Sequence, residues 1–281
     1  MDVLDTMPVS KRANQTRWAF RAFGCAVMAF LYIPIFFLVL FSFEDSKTVG
    51  FPIPGFSLRW YEAVLDNQAL QDAVRNSLLV AVLVAILATI IGTMAAFPLV
   101  RGNLRFPSVI RIFVTLPIML PGILLGVALV TFLAGQLHVR LSLITVIAGH
   151  LVFTTPYVVL IVASRLQGFP RALEWAAADL GASPARTLRH IILPLIAPAI
   201  MAGALISVTI SLDEFIVTFF TIGPQLTLPI YIYTQIKFGV TPEVNAVATL
   251  LLVATLGLLA AGGLLGAVRS ARSAGRPKED S

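Results

Sequence analysis

RALEWAAADLGASPARTLRHIILP, residues 171–194, is a polar, helix-capable segment set between apolar runs long enough to be membrane spans, and its reading decides the fold. Pro170 can sit in the first turn of a helix without losing a bond, and residues 171–180 are mostly strong helix formers. Gly181 can take the left-handed conformation that ends such a helix. Ser183 then offers a cap and Pro184 a first-turn residue, so a second helix is expected to start there and run through Ile191 into the next apolar run. Two capped helices joined by a tight turn make a stiff projection, of the kind expected to dock another body.

On the first of these helices Ala176, Ala177 and Ala178 give a small, smooth surface, Leu173, Trp175 and Leu180 give apolar contacts, and Glu174 and Asp179 give charge. Small residues permit close approach by another body. An amphipathic helix resting on lipid headgroups has a similar composition, and the residues alone leave both readings open.

Outward from the loop, the chain is apolar: 58% of its 281 residues are hydrophobic and 12% charged, with a mean hydropathy of +0.92. That leaves too little polar surface to cover a soluble globule of this size. Six stretches are long and apolar enough to cross about 30 Å of hydrocarbon as helices, at 20–43, 77–100, 109–133, 141–163, 191–212 and 246–268. The expected fold class is an all-α integral membrane protein with six transmembrane helices. The first run is too long for a signal peptide and has no convincing cleavage site after it, so it is expected to stay as an anchor. Cys25 stands alone, which excludes an intrachain disulfide or a cysteine-based metal site.

The net charge of +6 is distributed unevenly. Lys11, Arg12, Arg17 and Arg21 fall on one side with Arg101, Arg105, Arg111, Arg165, Arg171, Arg186, Arg189, Arg269, Arg272, Arg276 and Lys278, while Lys47, Arg59, Arg75, Arg140 and Lys237 fall on the other. By the positive-inside rule both termini and the 171–194 loop are cytoplasmic. The basic excess therefore reports orientation rather than nucleic-acid binding. Residues 1–70 are expected to hold the cytoplasmic N-terminus, the first span and an external segment. In that segment Pro52, Pro54 and Gly55 interrupt the chain before a surface helix over 58–73. Residues 71–268 are expected to form a core transmembrane domain and 269–281 a basic cytoplasmic tail. Prolines 34, 98, 117, 121, 156, 194 and 198 lie in or beside the spans, where each either kinks its helix or is tolerated by neighbouring helices. Gly262 and Gly266, in GxxxG spacing, are expected to pack within the chain.

Asp213 and Glu214 sit near the outer end of the fifth span. An acid at bilayer centre costs about 2.5–3.5 kcal/mol even on lenient scales, so such residues face a partner or a wet cavity. Either they line a path that attracts a cation, or they lie solvated at the interface beside a group such as Lys237. Residues 227–238 read as a short helix or re-entrant turn, with Tyr231 and Tyr233 either touching an ammonium group or anchoring at the interface. No GxxxxGK[ST] loop occurs, and Lys11, Lys47, Lys237 and Lys278 are the only lysines, so the chain does not cradle ATP phosphates in that manner. His138, His150 and His190 are scattered over different membrane levels without HExxH or GxSxG patterns, so no catalytic residue and no metal site is expected.

Ala176, Ala177, Gly181, Ile191, Leu193 and Pro194 resemble the EAA signature of the membrane permease subunits of ATP-binding cassette (ABC) importers. Ser211 to Phe215, then Thr221, Gly223 and Pro224, Thr227, Leu228 and Pro229, and Gly239, Pro242, Glu243, Asn245 and Ala246 look like the C-terminal third of polyamine importer permeases. The resemblance implies a type I importer permease fold with a cytoplasmic coupling helix, in a multi-pass protein of the bacterial inner membrane. It implies a loop of Glu174, Trp175, Ala176, Ala177, Asp179 and Gly181 inserting into a groove on a cytoplasmic ATPase, and a substrate path past Asp213, Glu214, Tyr231 and Tyr233. The partners implied are ATPase subunits that bind ATP and magnesium, a second permease subunit that is a different chain, and a periplasmic solute-binding protein. No cofactor is implied in this chain itself. The substrate implied is a small solute, putrescine or spermidine foremost. A non-polyamine ABC permease, and a stand-alone carrier or channel, are the alternatives; a carrier is expected to bury ionisable residues midway along several helices, and these spans are almost free of them. One departure stands out: the signature's glutamate position, six residues before Gly181, holds Trp175, and the acid lies one residue earlier. One residue turns a side chain by about 100° on a helix, so either Glu174 substitutes on a shifted helix or aromatic burial replaces charge.

Overall fold

A computed structural model describes residues 9–257 apart from Thr48, Phe238, Val240 and Thr255, with side chains described from Trp18 onward. Among the described residues every regular element is a helix, and extended pairing is limited to one isolated bridge between Glu44 and Phe56. The chain divides into two compact units, one of Met1–Asn67 with Gln235–Ser281 and one of Gln68–Thr234.

In the first unit, helix α1 (Val9–Phe41) contains the apolar stretch Trp18–Phe41, whose most apolar part is not buried at any residue. Phe20, Phe23 and Phe30 are exposed along it, a surface suited to lipid. A compact turn comes next, in which Asp45 N–H donates to Gly55 O at 2.9 Å, Ser57 N–H to Phe43 O at 2.7 Å and Trp60 Nε1–H to Glu44 O at 2.8 Å. Helix α2 (Arg59–Asp66) ends at Asn67, so the surface helix expected over 58–73 is shorter, and residues from Gln68 belong to the next span.

The second unit is built on three long helices, α3 (Gln68–Arg101), α6 (Leu143–Gln167) and α9 (Leu193–Asp213), which pack on one another. Lipid is as apolar as leucine, so such association rests on close van der Waals fit and small residues. Ala73, Ala81, Ala85, Ala88, Gly92 and Ala96 run down the buried side of α3. A Cβ on Gly92 would stand 2.7 Å from the Val158 side chain, and one on Gly203 of α9 would stand 3.2 Å from the same valine. Val158 of α6 is thus seated between two glycines, and α6 is the most enclosed of the long helices.

The helix expected over 109–133 is not one helix. It is α4 (Pro107–Met119) and α5 (Gly122–Val130, continued as a π-helical stretch Thr131–Gln136), which meet at 97°. Pro121 explains the break: it lacks an N–H and pushes the preceding residue out of the helical region, and Leu120 is extended at φ −78°, ψ 135°. Pro98, Pro117, Pro156 and Pro198 lie inside their helices without ending them.

Beyond α6 come α7 (Ala172–Asp179) and α8 (Pro184–Thr187), the latter joined to α9 through a π-helical turn Leu188–Ile192. The outer end of α9 leads to α10 (Ile216–Thr221) and α11 (Leu228–Lys237), and α12 (Pro242–Ala254) starts the last apolar run. Among the described residues, four single helices are long and apolar enough to cross a membrane, or five spans if the bent pair counts as one. The rest of the expected span 246–268, the pair Gly262 and Gly266, and the basic tail lie outside the described residues.

Candidate functional site

The α7–α8 projection is fixed largely by its own backbone. At the end of α7, Ala182 N–H donates to Ala177 O and Gly181 N–H to Ala178 O, both at 2.9 Å, with Gly181 at φ +77°. This is a Schellman motif, and it needs the left-handed residue that glycine supplies. Ser183 Oγ then accepts from Arg186 N–H at 3.4 Å, and Pro184 opens α8. Ala177 is buried, whereas Leu173, Trp175 and Leu180 are 44%, 65% and 89% exposed, so the projection shows an apolar surface with no cover among the described residues. A shallow groove lined by Ala177, Leu180, Ala182, Thr187, His190 and Ile191 runs beside it.

Glu174 points the other way. Its carboxylate lies 2.8 Å from the guanidinium of Arg101, the last residue of α3, and the two side chains are 25% and 16% exposed. Arg101 also donates to Phe169 O at 3.2 Å and lies 5.7 Å from the centroid of the Phe169 ring. Phe169 is itself buried in the core cluster with Ala96, Val162, Leu166 and Ile196.

A second polar assembly is buried where α9 gives way to α10. The helix stops at Asp213, Glu214 is extended at φ −73°, ψ 105°, and its Oε1 accepts from Val217 N–H at 2.9 Å, capping α10. Thr218 Oγ1 donates to Glu214 O at 2.8 Å, and His150 of α6 stands between Thr218 Oγ1 and Ser211 Oγ, 2.8 Å from each. Because the Thr218 proton goes to Glu214 O, His150 Nε2–H donates to Thr218 and Nδ1 accepts from Ser211, so one ring proton satisfies both contacts. Thr145 Oγ1 bonds Thr221 O at 2.6 Å, Ser77 Oγ accepts from Leu228 N–H and Asn76 Nδ2 donates to Leu226 O, both at 2.8 Å. Side chains of α3 and α6 therefore hold the backbone beyond α9. Ser77, Val80, His150, Ser211, Glu214, Thr218, Thr227 and Pro229 line a cleft of about 170 Å³ too narrow to admit a water-sized sphere.

A family model described as the binding-protein-dependent transport system inner membrane component matches residues 88–270. The chain belongs to that family. Among curated proteins it is similar to the spermidine/putrescine transport system permease protein PotC of Escherichia coli (strain K12), 38% identical over 244 residues that cover 86% of this chain and 92% of that protein. It is similar also to the putrescine transport system permease protein PotI of the same organism, 38% identical over 230 residues that cover 79% and 82%. Among solved structures it resembles a bacterial ABC transporter involved in the import of the acidic polysaccharide alginate, with a TM-score of 0.72, 14% identity, and coverage of 92% of this chain and 99% of that chain. The same kind of transporter in complex with an alginate pentasaccharide-bound periplasmic protein matches at a TM-score of 0.67 and 16% identity, covering 90% and 95%. These structural likenesses speak to the fold.

In this inner membrane component the expected loop residues divide. Trp175, Ala176, Asp179 and Gly181 are exposed, Ala177 is buried, and Glu174 is engaged by α3. Of the four residues expected on a path, Glu214 lines the cleft and Asp213 is exposed beside it. Tyr231 is buried, and Tyr233 packs on Phe215 and Phe219 at ring-centroid distances of 4.9 and 5.9 Å. Sequence reasoning missed Arg101 and His150. The signal for the histidine was its place inside a span, since a polar ring at that depth is retained only with partners.

Proposed function

We propose that this chain is the transmembrane permease subunit of an ABC importer, forming part of the path by which a small polyamine such as putrescine or spermidine crosses the inner membrane. The amine is delivered by a periplasmic binding protein, and separate ATPase subunits that bind ATP and magnesium drive the cycle; this subunit performs no chemistry of its own. The observation that carries the reading is the 38% identity to a spermidine/putrescine permease over 92% of that protein's length. The capped, uncovered projection agrees with it.

In this reading α7 is the coupling helix, with Trp175, Ala176, Asp179 and Gly181 facing the ATPase and Ala177 setting the close fit. The spans number six: α1, α3, the bent α4–α5 pair, α6, the α8–α9 helix and the run that begins at α12. Residues 71–268 are the core transmembrane domain, both termini are cytoplasmic, and a different permease chain completes the pore. Asp213, Glu214, Tyr231 and Tyr233, joined by His150, flank the amine's route at the outer end. An ammonium group, with donors and no acceptor, suits the exposed carboxylate of Asp213, whereas the cleft lined by Glu214 and His150 is too narrow to admit it.

The test is reconstitution of the full complex in proteoliposomes with labelled putrescine and spermidine. Uptake that requires both ATP and the binding protein is expected. Uptake by this chain alone would favour a carrier, and ATP-driven uptake of another solute with neither amine would assign a different substrate.

A further inference from the structure

We infer that Glu174 is an internal tie rather than a contact for the ATPase: with Arg101 it fastens the coupling helix to the cytoplasmic end of α3, and the docking surface is left to Trp175 and its apolar neighbours. The inference rests on the coupling reading above and assigns its mechanical link.

The geometry is specific. Arg101 closes α3, and its guanidinium holds three things at the root of the loop: the Glu174 carboxylate, the Phe169 carbonyl and the face of the Phe169 ring. Arg171 reaches back to Val100 O at 3.5 Å, a long second contact between the same two elements. Both charges of the pair are largely withdrawn from water, so they are screened less than an exposed pair. Their contact is one of charge rather than aligned hydrogen bonding, and Arg101 Nε has no hydrogen-bond partner among the described residues. Such a joint can tilt without letting go.

The neighbouring position behaves oppositely. Trp175 is 65% exposed and Leu180 89%, and the one-residue step that separates Glu174 from Trp175 turns them about 100° apart on the helix. A partner that grips the Trp175 side therefore pulls on a helix whose other side is held by α3. Because α3 packs along both α6 and α9, a displacement of its cytoplasmic end is shared by the whole three-helix core. Glu174 and Arg101 are thus positioning residues: they touch no substrate and transmit movement from the loop to the spans.

The experiment uses the assembled transporter in proteoliposomes and reads two quantities: the ATPase subunits that co-purify, and the labelled putrescine or spermidine taken up per ATP hydrolysed. Glu174→Gln and Arg101→Gln are each expected to leave co-purification unchanged and to lower uptake per ATP about tenfold or more, with the double variant no worse than Arg101→Gln alone, because Glu174 acts only through Arg101 whereas Arg101 also holds Phe169. Additive losses in the double variant, an unchanged ratio in Glu174→Gln, or ATPase subunits lost from Glu174→Gln would each overturn the tie. Trp175→Glu separates this from the reading beneath it. If it removes the ATPases while Glu174→Gln does nothing, the tie alone fails; if it changes neither assembly nor coupling, docking at α7 fails.

Discussion

The loop between α6 and α9 and the break between α9 and α10 do a similar job, turning a long span into a short helix, by opposite means. The loop is shaped by its own backbone, with a glycine in the left-handed region, a serine cap and a proline at the first turn, and it leaves its apolar residues uncovered. The break is shaped from outside. Glu214 caps α10 locally, but His150, Thr145, Ser77 and Asn76 reach in from α6 and α3 to hold the chain from α10 to the start of α11. The loop takes its form from local contacts and is tied to α3 only on one side, through Glu174 and Arg171, so it can be presented to another protein, whereas the break is sewn on several sides and moves only when its neighbours move. The first suits a handle and the second a gate.

This contrast can be broken most forcefully at Ala177. The residue is 7% exposed, so Ala177→Arg forces a large charged side chain beneath α7 and is expected to abolish ATP-coupled uptake while the chain still inserts in the membrane. Uptake and membrane insertion, measured side by side, check it. If coupled uptake survives, the loop is no handle.

The next effect in size is at the break. His150→Ala takes a hydrogen-bond partner from both Ser211 and Thr218, each 5% exposed or less; Thr218 keeps its bond to Glu214 O, and the Ser211 hydroxyl left without its histidine partner costs about 1–3 kcal/mol. Thermal unfolding in detergent is expected at lower temperature, with reduced uptake and unchanged ATPase co-purification. Loss of the ATPases instead would mean that the two regions are not separable. The smallest effect is expected at Tyr233→Phe, which keeps the ring packed on Phe215 and Phe219 and removes only the hydroxyl of a 42% exposed side chain. Its stability is expected to stay within about 0.5 kcal/mol. An uptake defect with unchanged stability would place that hydroxyl on the amine's route.

The same contrast explains what the residues disclosed in advance. Gly181, Ser183 and Pro184 act on backbone within a few positions of themselves, so both loop helices were legible, as were the long spans, whose length and apolarity are properties of contiguous sequence. The bend at Pro121 was half legible: the proline was noted, but Pro117, Pro156 and Pro198 remain inside unbroken helices, and only the packing around each decides which outcome prevails. His150 and Arg101 were not legible as site residues. Their partners lie 61 and 73 positions away, and such pairings arise from how spans pack rather than from local pattern.

The central claim, that an ATPase grips α7 on its Trp175 side, is tested most directly by crosslinking. Cys25 is the only cysteine, so a Cys25→Ser background carrying Trp175→Cys or Glu174→Cys gives one reporter per chain. In the assembled complex the Trp175→Cys reporter is expected to crosslink to the ATPase subunit and the Glu174→Cys reporter is not. A Trp175→Cys reporter that stays open to a water-soluble thiol reagent and never crosslinks to the ATPase would contradict the account.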